Sequence, residues 1–287
     1  MPVNARAFHR KMRGGAQSHL LEAEDGNFYV VKFQNNPPHR RVLVNEWLAA
    51  EFLQYLQISV PPAVVVCLTD EFLAAHPEVG IQLGSQKIRA TPGWHFGSRY
   101  PGDPNRVAVY DFLPDSLLQQ VVNRTEFLGM LAFDKWTCNS NGRQAVFFRA
   151  RFRSWSAHAE AAPAAQGFVA SMIDHGFAFN GPFWDFPDAP LHGLYHRPLV
   201  YERVRGWDDL DPWLTQILHF PEEVIDGAFK SVPREWLAGE EDAFEKLLEQ
   251  LLRRRPRVPD LIEDCRRARP DLFPHWRPVV SSPAPKR

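Results

Sequence analysis

The sequence predicts an α+β protein built in two unequal parts, a small β-rich N-terminal unit and a larger, mainly helical C-terminal one. Three observations predict it. Strand-like alternation around a tight turn dominates residues 1–68, Gly- and Pro-rich sequence fills 69–115, and helical spacing of apolar residues takes over after residue 200. We read 1–280 as one domain, with its N-lobe at about 1–68, a connection at about 69–115, a C-lobe at about 116–280 and a tail at 281–287. Two unlike units joined in this way leave a cleft between them.

The elements follow in order. "HLLEAEDGNFYVVKFQ" reads as two strands around Asp25-Gly26, a dipeptide suited to a hairpin turn. On the second strand Phe28, Val30 and Lys32 share one face, and Tyr29, Val31 and Phe33 the other. "VLVNEWLAAEFLQYLQ" is a helix with Leu48, Phe52 and Leu56 four residues apart. "SVPPAVVV" is a turn and a buried strand. "TPGWHFGSRYPGDPN" reads as loop over or near the cleft. "LPDSLLQQVVNRTEFLGMLAFDKWT" reads as two helices, the second starting near Arg124. "RQAVFFRARF" and "GFVASMID" are strands joined by an Ala-rich loop. In "EDAFEKLLEQLLRRR", Phe244, Leu247, Leu248, Leu251 and Leu252 form one stripe, and "VPREWL" and "VPDLIEDCRRA" open helices with Pro near the first turn. The basic run Arg253 to Arg257 suits a solvated helix end.

Composition excludes several classes. With 287 residues, 45% apolar and 23% charged, the chain has the composition of a soluble globular protein with a sizeable core. A formal net charge of −1 gives no general attraction for nucleic acid or anionic lipid, so direct nucleic-acid binding is not expected. The three cysteines, Cys67, Cys138 and Cys265, form no CxxC and no even framework, which suits a reducing cytoplasm. The basic start lacks an apolar core, and no apolar run reaches the ~20 residues that span a bilayer. A cytoplasmic protein without a membrane span is the expectation.

Five features carry the chemistry. "RGGAQS" at residues 13–18 precedes a strand, and Gly14 and Gly15 let backbone N–H groups approach an anion. Lys32 lies on a strand, with Val30 before it on the same face; such a Lys holds phosphates while the apolar residue packs on a base. Glu46, near the start of the next helix, is the natural counter-charge for a buried Lys, with Glu51 as competitor. Asp134 and Asn139 stand in D-x-x-x-x-N spacing, which supplies a carboxylate for an attacking hydroxyl and a neutral oxygen ligand for a metal. Asp174 ends a strand and precedes His175-Gly176, a place from which a carboxylate chelates Mg²⁺. Each has a plain alternative: a turn, an edge Lys reaching water, a chance spacing, a strand-end Asp. Their joint order makes coincidence the weaker explanation. His192 and His196 have a zinc-like i, i+4 spacing but no evident third ligand.

In these residues the chain resembles the HipA-like kinases. The resemblance is carried by Gly15-Ala16-Gln17, Lys32, Asn45-Glu46 with the following "FLQYLQISVP", the Asp134/Asn139 pair and Asp174, and spans roughly residues 8–255. It implies a bilobal protein-kinase-like fold without the N-terminal subdomain of the HipA toxins. It also implies that Gly14, Gly15, Ala16 and Gln17 form a phosphate loop, Lys32 binds ATP phosphates beside Glu46, Asp134 is catalytic, and Asn139 and Asp174 hold Mg²⁺. The chain departs from the pattern at Met12-Arg13, where the toxins carry a phosphorylatable Ser. It departs again at Ala132-Phe133-Asp134 and Asp174-His175-Gly176, which replace His-Arg-Asp and Asp-Phe-Gly. Lys135, after the catalytic Asp, is read as solvated, and Trp136 as part of the loop. The function expected is ATP-dependent phosphoryl transfer to a hydroxyl, with a protein Ser or Thr favoured by the resemblance. A small-molecule or lipid kinase and a nucleotide-binding pseudokinase are the alternatives. No residue points to an antitoxin partner, which only the resemblance would allow.

Overall fold

The computed structural model describes residues 2–37, 39–151 and 166–277. The N-terminal half runs β1 (Val3–Lys11), β2 (His19–Ala23), β3 (Phe28–Lys32), α1 (Arg41–Tyr55), β4 (Ala63–Leu68), α2 (Asp70–Ala75), β5 (Gly80–Leu83), β6 (Gln86–Arg89) and β7 (Gly93–Arg99). Five of these strands close a barrel in the order β1-β2-β3-β7-β4. Closure comes from a short parallel contact, Val3 with Val66 and Asn4 with Cys67. The β2–β3 turn forms at Asp25-Gly26 for a local reason. Asp25 accepts the Asn27 backbone N–H at 3.0 Å and the Tyr29 hydroxyl at 2.6 Å, and Gly26 adopts φ +75°.

Alternation along β3 sets the direction of everything that follows. Tyr29, Val31 and the adjoining Phe33 are buried in the barrel interior with Leu21, Val66, Leu68 and Phe72. Val30 and Lys32 therefore point to the opposite face. The segment expected to be loop contains β7, which lies between β3 and β4 and pairs Lys32 with Phe96 and Val65 with Phe96 on its two sides. Its signal was masked by Gly93 and Gly97. Gly97 is required by close packing: a Cβ there would sit 2.5 Å from Val66 Cγ2 and 3.2 Å from Val64 Cγ2. The β-rich unit thus extends beyond residue 68 to include 93–99.

The chain continues through β8 (Val109–Tyr110), α3 (Asp115–Leu118), α4 (Glu126–Thr137), β9 (Gln144–Arg151) and β10 (Gln166–Ile173). The last two strands pair antiparallel along their length, from Gln144 opposite Ile173 to Arg151 opposite Gln166. Most of the Ala-rich connection between them, and the tail after 277, lie outside the described residues. Then come α5 (Trp213–Leu218), α6 (Glu222–Ser231), α7 (Arg234–Leu237), α8 (Glu241–Arg254) and α9 (Val258–Ala268). Phe244, Leu247, Leu248 and Leu251 of α8 are buried, as their spacing demands.

Helix α1 is buried over most of its length, with Gln54 and Tyr55 exposed at its end. Leu43, Val44, Leu48, Phe52, Leu53 and Leu56 join the large core with α4. Trp136 of α4 is fully buried in that core, against Phe52 and Phe220, and its indole N–H reaches Leu251 O at 2.9 Å. The basic run is only partly solvated: Arg254 is buried, pairs with Asp188 at 2.8 Å and donates to Lys135 O. Among the described residues no helix is long and apolar enough to cross a membrane.

Candidate active site

The site begins with a buried ammonium. Lys32, on the outward face of β3, is 8% exposed and sits between two carboxylates. It pairs with Glu46 Oε1, in the second turn of α1, and with Asp174 Oδ1 at 2.7 Å, just past the end of β10. The barrel, α1 and the C-terminal part thus converge on one nitrogen. Burial alone would push the Lys32 ammonium down, but the charges of Glu46 and Asp174 raise it above its ordinary value. In turn the Lys32 charge holds the Asp174 carboxyl below the usual range, against its own burial. Lys32 and Asp174 are therefore ionised at neutral pH. Glu51, the competing partner, carries a carboxyl raised by burial.

Neighbouring residues fix this convergence. Asn45 is fully buried, and its amide donates to the backbone oxygens of Gly176 at 2.8 Å, Ala178 at 3.0 Å and Gly181 at 3.0 Å. Its side-chain oxygen accepts from the Trp184 indole at 2.8 Å. The segment after Asp174 is stitched to α1 through this one amide. Gly176 permits the close approach, since a Cβ there would lie 2.5 Å from Val42 Cγ1 and 3.3 Å from Glu46 Oε1.

The glycine loop between β1 and β2 has Gly14 at φ +121° and open space around both Gly14 and Gly15. It is closed by Met12 N to Ser18 O at 2.8 Å and Gln17 N to Gly14 O at 3.1 Å. Gln17 is committed elsewhere: its amide pairs reciprocally with the Gln82 backbone of β5, both bonds at 2.7 Å, and accepts from Lys11. It anchors the loop to the β5–β6 hairpin. Ala16 O accepts from Asn36 at 3.3 Å. Val30 is half-buried on the Lys32 face.

Asp134 and Asn139 are together, and both are buried. α4 runs through Asp134 to Thr137 before Cys138 turns left-handed at φ +52°. Asp134 is 1% exposed, and Arg143 spans both its oxygens, Nε to Oδ2 at 2.8 Å and Nη2 to Oδ1. Asn139 Nδ2 donates to Asp134 Oδ1 at 3.0 Å, and Asn139 Oδ1 accepts the Asn141 backbone N–H at 3.1 Å. The Asp134 carboxyl is raised by burial and restrained by Arg143 and Asn139. Neither side chain is free to meet a substrate or a metal in this conformation. The expected roles, Asp134 as the base beside the acceptor and Asn139 as a metal ligand, would require these bonds to be exchanged. α4 is buried on every side, so the two side chains meet beneath the surface. The solvated reading of Lys135 is corrected. It is 4% exposed, its ammonium donates to Pro190 O at 2.7 Å and His192 O at 2.6 Å, and burial lowers its pKa.

Gln144 is the residue that sequence reasoning missed. It opens β9, its side chain is exposed, and its amide reaches Asp174 Oδ2 at 2.7 Å. Asp174 therefore has Lys32 on one oxygen and Gln144 on the other. A polar amide just before an apolar strand was the available signal.

The Asp174 carboxylate and the Gln144 amide oxygen are hard donors of the type that suits Mg²⁺ or Mn²⁺. Both are accessible, whereas Asn139 is fully buried. The site fits a divalent cation held by few protein ligands, with the rest of its shell left to phosphate and water.

A family model described as HipA-like kinase matches residues 6–152, just over half of the chain. No curated protein matches. Among solved structures, the Golgi casein kinase with Mn/ADP bound is similar at TM-score 0.48 and 14% identity, over 93% of this chain and 74% of that one. A second structure of the Golgi casein kinase gives TM-score 0.46 and 12% identity, over 93% and 73%. These scores carry no part of the assignment, which rests on the family model: the chain is a kinase of the HipA-like family.

Proposed function

We propose that the protein transfers the γ-phosphoryl group of ATP to a hydroxyl, with a Ser or Thr of a protein as the favoured acceptor, in the cytoplasm. The observation that carries the reading is Lys32 held between Glu46 and Asp174, where the barrel meets the C-terminal part. A buried ammonium flanked by an accessible carboxylate is an arrangement that binds phosphate oxygens and a divalent cation side by side. The Gly14–Gly15 turn offers backbone N–H groups for the same anion, and Val30 offers apolar surface on the same face. Asp174 and Gln144 would hold the cation, which supplies neutralisation of phosphate charge.

Lys32 orients the phosphates and Glu46 keeps Lys32 extended toward them. Asp174 would offer its carboxylate to the cation beside Lys32. Phosphoryl transfer passes through a loose transition state, so positioning and electrostatics supply most of the acceleration. That suits a site in which the α4 carboxylate, Asp134, lies beneath the surface.

Incubation of the purified protein with labelled Mg-ATP and a cell lysate tests the reading. We expect label on protein Ser or Thr, lost in Lys32→Met and Asp174→Asn. Equal labelling by wild type and both variants would refute it, and label on lipids or small molecules would refute the protein acceptor.

A further inference from the structure

The partly exposed Asp174 has an unusual backbone, and the buried residues beneath it explain how it is held. Its φ is +61°, in the left-handed region that residues with a Cβ rarely adopt. Arg143 grips the chain on both sides of it. One guanidinium nitrogen, Nη1, donates to Ile173 O at 2.8 Å and lies 3.1 Å from His175 Nδ1. His175 Nε2 lies 3.1 Å from Met172 O, closing the turn over Asp174. Arg143 is in turn fixed by Asp134 through Nε and Nη2, with Asn139 completing the carboxylate. Gly193 packs directly over Asp134, where any Cβ would collide with Asp134 Cβ. Arg143 and Asp134 have side-chain exposures of 1% and 0%, so water does not compete for these bonds.

We propose that Asp134, Arg143 and His175 form a buried brace that sets the left-handed conformation of Asp174 and so aims its carboxylate at Lys32 and Gln144. These are positioning residues, not groups that touch substrate. The functional consequence rests on the proposed Mg-ATP chemistry; the brace itself does not. Partners outside a metal's own ligands typically change its affinity 10–100-fold, and the same logic applies to residues that orient Asp174.

Two variants test it, Arg143→Lys, which keeps the charge but loses the fork, and Asp134→Asn, which keeps the shape but loses the charge. The first readout is amide hydrogen exchange in nucleotide-free protein. We expect exchange at residues 173–178 to rise about tenfold or more while the barrel strands are unchanged. The second is Mn²⁺ titration of ATP binding by calorimetry. Here we expect about tenfold weaker metal affinity, with metal-free nucleotide binding as in wild type. Wild-type exchange and metal affinity in both variants, with turnover lost, would overturn the brace and return Asp134 to a direct chemical role. Loss of protection throughout the barrel in both variants would overturn a local device. If wild-type protein fails to bind Mg-ATP or Mn-ATP, the kinase chemistry falls, and the exchange experiment still decides the brace.

Discussion

Replacing Glu46 by Gln removes one charge from the centre of the site while leaving its shape. In the wild type the Lys32 ammonium is 8% exposed and shared by Glu46 and Asp174. A hydrogen bond to a charged group contributes ~1.5–3 kcal/mol, and stripping a buried ion of its sole partner costs ~3–5 kcal/mol. Asp174 remains as a partner in Glu46→Gln, so the lower range applies, about 1.5–3 kcal/mol. For a chain of this size, 1 kcal/mol moves Tm by roughly 2 °C, so Tm should fall by about 3–6 °C. The second effect is functional. Lys32, left with Asp174 alone, pairs with it more tightly; in the proposed chemistry that carboxylate holds the cation, so Mg-ATP binding should weaken as well. Thermal denaturation with and without Mg-ATP measures both. Glu51→Gln is the control: its carboxyl is half-buried and raised by burial, so that change should be neutral or slightly stabilising. A Glu46→Gln protein that matches wild type in Tm and in Mg-ATP stabilisation would refute the reasoning.

Two further outcomes concern the barrel. His95 is fully buried on β7, accepts the Gln34 N–H at 3.0 Å, and its pKa is lowered by burial to about 4, against a weaker opposing effect of Thr91 O. A depressed folded-state pKa contributes stability present above the unfolded value near 6.5 and lost as pH falls toward 4. The loss should reach about 3 kcal/mol, read by denaturant unfolding at pH 7 and pH 4, and His95→Gln should flatten that difference; an unchanged slope would contradict the assignment. Gly97→Ala should cost about 1–3 kcal/mol through its collision with Val66 and Val64, and a variant as stable as wild type in urea would show that the strands separate freely there.

Local pattern made part of the site legible. Alternation along β3 put Val30 and Lys32 on one face, and the cost of a buried unpaired ammonium pointed to Glu46. Asp25-Gly26 announced its hairpin because the turn is satisfied within five residues. β7 was hidden because Gly97 serves a contact with a distant strand, which no local pattern records. Lys135 looked solvated because its partners, Pro190 O and His192 O, arrive from more than fifty residues away.

By itself the sequence determined the order of the parts, the strand face that carries Lys32, its counter-charge and the strand end that carries Asp174. These depend on side-chain periodicity and charge, which act over a few residues. Only the tertiary structure decided which way the Asp134 loop faces. The spacing of Asp134 and Asn139 is equally compatible with an outward and an inward turn. The choice falls to Arg143, which neutralises Asp134 in a site closed by Gly193, and leaves Gln144 beside Asp174 at the surface. Burial and long-range pairing settled what spacing left open, because a carboxylate can be buried only where the fold brings it a cation.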